Sequence, residues 1–269
     1  MDRAYGTNGL NQLTNAGATA LSYDGRGNLI SSGSNSYSYT SDNKLATTSS
    51  GVYLANDMAG QLVQVYANGG ANVTPMDYLG DTLITEMNGS NQLIRRYVHG
   101  PGDDTPIVWY EGSGTTDKRW LTADERGSIV AVTNGSGNTM AINSYDEYGI
   151  PASTTIGRFQ YTGQAWLPEV GLYYYKARIY SPTLGRFMQT DPINYSDGLN
   201  WHDLPHCASQ WHGALRTTAL SKVYGHTLQF PIAIAHWVGT LGVGFFAANH
   251  RCGLGQWRAF RQMDWRAEV

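Results

Sequence analysis

Five times in its first 150 residues this chain writes Asp-x-x-Gly, at residues 24–27, 57–60, 77–80, 124–127 and 146–149. With 15 Asp and 32 Gly in 269 residues, chance supplies about two such tetrads, so the excess marks an internal repeat. The chemistry of the unit is local. An Asp carboxylate accepts a backbone N–H two residues on, and Gly then takes the left-handed conformation that a Cβ resists. An aliphatic residue follows each time: Leu29, Leu62, Leu83, Ile129 and Ile150. A degenerate copy, "YTSDNKL", begins at Tyr39. Each unit therefore predicts a strand that leaves a sheet, turns and re-enters it.

Two longer hairpins fit between these turns. One covers 82–98 around Asn88 and Gly89. The other covers 127–146, with Ile129, Ala131 and Thr133 alternating against Val130 and Val132. No helical period stands out before residue 200. The composition agrees, with 32 Gly, 18 Tyr and only 14% charged residues, and the fold class is all-β: repeated β-hairpins. Net charge of the whole chain is −3, too mild by itself to imply nucleic acid or a charged membrane surface, and no nucleic-acid partner is expected for 1–199.

The character of the chain changes near Asn200. Residues 1–199 carry 12 Lys+Arg against 18 Asp+Glu, whereas 200–269 carry 6 against 3. Six of the seven His, five of the eight Trp and both Cys (Cys207 and Cys252) fall in that last stretch. Two cysteines make no metal or disulfide framework. The opening "MDRAYGTNGLNQLTN" has no signal-peptide pattern, and the chain reads as the downstream part of something longer.

"YDGRGNLI", carrying Tyr23, Asp24 and Gly27, resembles the YD repeat of the RHS proteins, shared with Tc toxin C subunits and teneurins. "ADERGSIVAV" (Asp124, Gly127) and "SYDEYGIP" (Tyr145, Asp146, Gly149) lead into residues 158–193. That segment, "RFQYTGQAWLPEVGLYYYKARIYSPTLGRFMQTDPI", resembles the RHS repeat-associated core. The resemblance implies three regions: YD-repeat hairpins over 1–150, the core over 151–199, and a variable or non-native tail, irregular or partly helical, over 200–269. In that family the repeats wind a spiralling β-shell around a toxic C-terminal domain, and the core plugs one end. The implied role is a structural shell and plug that encloses and delivers a toxin against neighbouring cells. Implied partners are upstream shell segments, the chain's own C-terminal cargo and secretion machinery. The implied location is secreted or at the cell surface, and no cofactor is implied. A second class, a cell-surface carbohydrate-binding module, is motivated by exposed tyrosines.

Within the core, residues 171–180 read as one strand, with Tyr173, Tyr175, Ala177 and Ile179 on one face and Leu172, Tyr174, Lys176, Arg178 and Tyr180 on the other. Both faces are amphipathic, as suits a wall between an interior and solvent. Gly171 precedes the strand, Pro182 and Gly185 make a turn, and Arg186 opens the return. Arg178 and Arg186 read first as surface salt bridges and, more sharply, as buried support for a carboxylate such as Asp191. Pro192 ends the pairing.

Self-cleaving members of the family use the core as an aspartyl protease, and their catalytic Asp-Pro matches Asp191 and Pro192. A second acid is required, because two carboxylates sharing a proton supply both acid and base. Glu169 and Asp197 are the nearest candidates. This chain reads "DPIN", with Asn194 where the family has Gly, and the following motif is absent. The sequence therefore favours Asp191 as a strand-ending cap. In the tail, 231–248 is uncharged and could contact a membrane, at the short end for a span. His202, His206, Cys207 and His212 lack metal-site spacing. Trp257 and Phe260 suit an amphipathic helix, and the tail itself reads as a toxin tip, a membrane segment or a non-native extension. No phosphate loop or Ser/His/Asp signature occurs.

Overall fold

A computed structural model describes residues 4–70, 72–101, 104–192, 200 and 202. The repeat region forms one antiparallel meander in which every strand pairs with the next in sequence. Its first eight strands are β1 (Tyr5–Thr7), β2 (Leu13–Ala16), β3 (Thr19–Tyr23), β4 (Leu29–Ser32), β5 (Asn35–Tyr39), β6 (Leu45–Thr48), β7 (Tyr53–Asn56) and β8 (Leu62–Ala67). The next seven are β9 (Asn72–Leu79), β10 (Thr82–Met87), β11 (Leu93–His99), β12 (Pro106–Glu111), β13 (Lys118–Ala123), β14 (Ile129–Asn134) and β15 (Thr139–Ile142). The 15-stranded sheet is open, with β1 and β15 at its edges. A second sheet of four strands comprises β16 (Ala165–Leu167), β17 (Leu172–Tyr175), β18 (Arg178–Ser181) and β19 (Arg186–Phe187). The all-β expectation holds.

Four of the five Asp-x-x-Gly units form the expected turn. At Asp24 the carboxylate accepts the N–H groups of Arg26 (2.9 Å) and Asn28 (2.8 Å), and Gly27 sits at φ 85°. Asp57, Asp124 and Asp146 repeat the pattern, with Gly60, Gly127 and Gly149 at φ 79°, 83° and 91°. The unit at 77–80 does not. Asp77 lies inside β9 opposite Thr85, and Gly80 belongs to the short β9–β10 turn. Conversely, Asn8, Asn88 and Asn134 close the same turn with their amide oxygens. Thr40 uses its hydroxyl for the longer of the two bonds. An Asn oxygen accepts as well as a carboxylate does, and Asn11, Asn43 and Asn91 tolerate the left-handed position.

Apart from the turn at Asp146, each of these hairpins carries a bulge on its outgoing strand. In β13–β14, Thr122 opposes Ala131 and Ala123 opposes Ile129, so Val130 is the extra residue. The bulge overturns the simple alternation expected for β14, because Ile129 and Val132 both point inward and are fully buried. The same three-residue step puts Leu13 with Ala16 and Leu62 with Val65 in the core.

Residues 171–180 are not one strand. Lys176, at φ 58°, and Ala177 make a two-residue turn that pairs Tyr175 with Arg178 and Tyr173 with Tyr180. The turn changes the face assignment. Tyr173, Tyr175, Tyr180 and Phe187 form one cluster with Tyr161, whereas Leu172, Tyr174 and Ile179 join the core of the large sheet. All eight residues of β17 and β18 are buried. The expected wall facing solvent is instead a sheet covered on both sides.

Candidate functional site

The two sheets meet along one rim of the meander. Connections in a meander alternate between rims, so the turns at Asp24, Asp57, Asp124 and Asp146 share one, and those at Asn88 and Asn134 share the other. Residues of the C-terminal segment press against the first rim. A Cβ on Gly149 would lie 2.5 Å from the Tyr161 ring, and one on Gly27 would lie 2.5 Å from Thr190. Glycine at these turns thus serves both a positive φ and a close approach.

At the same rim the residue after the turn has a backbone freed from its neighbouring strand. Its carbonyl goes to an aromatic donor from a later hairpin: Tyr39 to Leu29 (2.7 Å), Tyr78 to Leu62 (2.8 Å) and Tyr145 to Ile129 (2.8 Å). Tyr23 also meets the Leu13 backbone, but as an acceptor, since that bond favours its phenolate. The N–H goes to the C-terminal segment: Leu29 to the Met188 carbonyl (2.8 Å), Ile129 to the Gln160 carbonyl (3.1 Å) and Leu62 to the Tyr174 hydroxyl (2.9 Å). Buried peptide groups need partners, which gives these tyrosines a role that strand propensity alone does not explain.

The tyrosines of the small sheet stitch as well. Tyr173 donates to the Gly149 carbonyl (2.9 Å), Tyr180 to the Tyr148 carbonyl (3.0 Å), and Tyr175 shares a hydrogen bond with Thr162 (2.6 Å). Burial pushes the Tyr173 and Tyr175 hydroxyls above the ordinary tyrosine range. Gly171 (φ 67°) closes the β16–β17 turn, and Gly185 (φ 65°) lets β19 pass close to Tyr148.

One buried ionic contact at the seam was not legible in the sequence. Glu86, fully buried on β10, takes Nε and Nη2 of Arg158 at 2.8 and 2.7 Å. It also accepts from Tyr97 (2.6 Å) and Arg95 (3.2 Å). Burial alone would raise the Glu86 carboxyl, but Arg158, Arg95 and Tyr97 outweigh it and bring it down to about 2. Arg158 gives its remaining Nη1 to the Trp166 carbonyl (2.7 Å). The only local hint was an acid at an inward position of "TLITEM", which requires a buried cation but does not say which. A second ion pair, Lys176 to Asp104 (2.7 Å), ties the β17–β18 turn to the β11–β12 loop, and Lys44 caps two carbonyls of that turn.

Asp191 pairs with Arg178 at 2.7 Å, both nearly inaccessible, and the guanidinium lies 3.8 Å from the Phe187 ring centre. The sharper reading of Arg178 is the one this geometry matches. Arg186 instead donates to the Asn11 carbonyl at the surface. Glu169 lies in the turn entering β17, whereas Arg178 faces the far end of that strand, about 10 Å along it at the usual rise. Asp197 lies outside the described residues, as do Asn194, His206, Cys207, His212, Trp257, Phe260 and 231–248. His202 is buried against Tyr23, with its ring held down to about 4 by burial, Arg186 and Arg178. Among the described residues no His/Cys/Asp/Glu group could hold a metal, and no helix is long and apolar enough to cross a membrane.

No family model matches the chain. Its sequence is similar to the tRNA3(Ser)-specific nuclease WapA of Bacillus spizizenii, 33% identical over 203 residues, covering 70% of this chain and 8% of that protein. A 108-residue stretch, 37% of the chain, is 57% identical to salivary gland surface protein 1 of Aedes aegypti and covers 3% of it. The fold is similar to that of a chain in the crystal structure of TcdB2–TccC3–Cdc42, with a TM-score of 0.55 and 16% identity over 79% of this chain and 13% of that one. The chain spans a small part of each of these three proteins.

Proposed function

We propose that this chain is the closing segment of a toxin shell, in which the large sheet is a strip of wall and the small sheet is the plug that seals it. The sequence relation to a WapA nuclease and the fold shared with a TcdB2–TccC3 chain support a toxin-related role. One observation carries the plug reading: a sheet buried on both faces is held to the wall by the Glu86–Arg158 clasp, whose two side chains are 0% and 5% exposed. A surface module that bound glycans would present its tyrosines; here those of β17 and β18 are spent on internal bonds.

On this reading the segment beyond Pro192 is cargo, upstream wall strands and secretion machinery are partners, and the assembly acts outside the cell that makes it. Bacterial growth on inducing residues 200–269 alone, beside 1–269 and 1–199, tests it. Arrest by 200–269 alone, with relief in the full chain, is the expected result. Harmless expression of 200–269 as soluble product removes the cargo.

A second reading has its own observation. Asp191 is buried beside a buried arginine where the plug ends, a costly arrangement for a mere strand cap. If it cleaves the chain, purified protein carries a cut that Asp191→Asn abolishes; an uncut wild-type chain rejects this reading.

A further inference from the structure

The bonds from later hairpins to post-turn carbonyls include one odd member. Tyr39, Tyr78 and Tyr145 reach the carbonyls of Leu29, Leu62 and Ile129. At Leu83 the partner is His99, with Nε2 3.0 Å from the carbonyl oxygen. Spacing supports the equivalence, because Tyr78, Tyr145 and His99 each lie 16 residues beyond the group they meet. A histidine thus stands where the other hairpins place a phenol, and it titrates near neutrality whereas a phenol does not.

Its surroundings settle the resting form. A carbonyl cannot donate, so Nε2 carries the proton and Nδ1 of the neutral ring does not. Nδ1 is buried and has no hydrogen-bond partner among the described residues. The ring stands edge-on to Phe159 at 5.1 Å, and Phe159 follows Arg158 at the seam between the sheets. The charged groups facing it are Lys176, from the β17–β18 turn, and Asp104, from the β11–β12 loop, and these two pair with each other at 2.7 Å. Gln164 adds a bond to Asp104, so that carboxylate is already engaged.

We propose that His99 makes the junction between the two sheets acid-sensitive: a proton added at its buried Nδ1 places a second cation beside Lys176 and loosens the small sheet where Phe159 packs. The sign follows from burial, which lowers the ring below its ordinary 6.5, only partly offset by Leu83 and Asp104. Unfolding then takes up a proton, so stability is complete above about 6.5 and falls as pH drops below it. Glu86 leaves this window flat, because it stays ionised down to about 2. His202 titrates in the same direction, and so a variant comparison is needed to isolate His99.

The test is the full chain against His99→Tyr, which installs the group used by the other hairpins and removes the titration. Urea unfolding is followed between pH 7.5 and 5.5, with hydrogen exchange read on peptides covering 93–101 and 156–167 and corrected for intrinsic rate. The expected result is that opening of the wild-type junction rises as pH falls by up to about tenfold per pH unit more than in His99→Tyr. Parallel pH profiles overturn the proposal. If His99→Tyr does not fold, His99→Gln keeps a donor for Leu83 without a titrating ring, and the same comparison decides.

Discussion

Replacing Arg158 with Met is the perturbation whose cost the structure states most directly. Arg158 gives Glu86 two of its bonds, and Glu86 is wholly buried. Removing one partner of a buried pair costs ~3–5 kcal/mol, because the remaining charge is stranded. Arg95 stays within 3.2 Å of Glu86 and offsets part of this, so the lower end, ~3 kcal/mol, is expected at pH 7. Glu86 also carries a pH signature, set by Arg158, Arg95 and Tyr97 together against burial. Depression of the Glu86 carboxyl from 4.5 to about 2 corresponds to ~3 kcal/mol of preference for the ionised form. That stability is present above pH 4.5 and is lost as pH falls toward 2. Urea unfolding at pH 7 and pH 3 therefore separates the effects: Arg158→Met lowers stability at pH 7 and flattens the acid dependence between 4.5 and 2. The double variant Glu86→Leu/Arg158→Met restores most of the loss, since no charge is left stranded. A loss under ~1 kcal/mol at pH 7, or an unchanged acid slope, refutes the clasp.

Tyr145→Phe leaves the buried Ile129 carbonyl unmet and should cost ~1–2 kcal/mol in urea unfolding, whereas Tyr53→Phe, half exposed on the outer face, should cost almost nothing. Gly149→Ala combines φ 91° with a clash on Tyr161 and should lose more than ~2 kcal/mol; Gly137→Ala, at φ 84° with open space, should lose only ~1. Asn134→Asp keeps both turn bonds and should shift stability by under ~0.5 kcal/mol, while Asp24→Ala loses its pair and should cost ~1–2, both read from denaturation midpoints. The unguarded β15 edge, with Met140 and Ile142 exposed, should make residues 1–199 self-associate; a monodisperse species by light scattering contradicts that.

Much of the wall was legible because its code is local. Asp24 and its turn partners lie within four residues of each other, so the tetrad specifies its own conformation. The tetrad at Asp77 shows the limit, since strand pairing with β10 overrode turn chemistry there. The hairpin at Asn88 and the one within 127–146 were legible, but a search for Asp did not show that Asn8, Asn88 and Asn134 do the work of Asp24. The face assignment in the core failed at Lys176, where a non-glycine residue at positive φ turned an apparent single strand into a hairpin.

The sequence by itself determined the hairpins, their turns and the supply of inward aliphatics, because those depend on contacts a few residues apart. Only the tertiary structure decided that Glu86 meets Arg158 across 72 residues, that Leu62 donates to Tyr174 across 112, and that His99 faces Lys176. Those pairings arise where one sheet is laid on the other. The residues carry the required donors and acceptors, but a hydrogen bond gains its energy from position, and position there is set by the packing of both sheets at once.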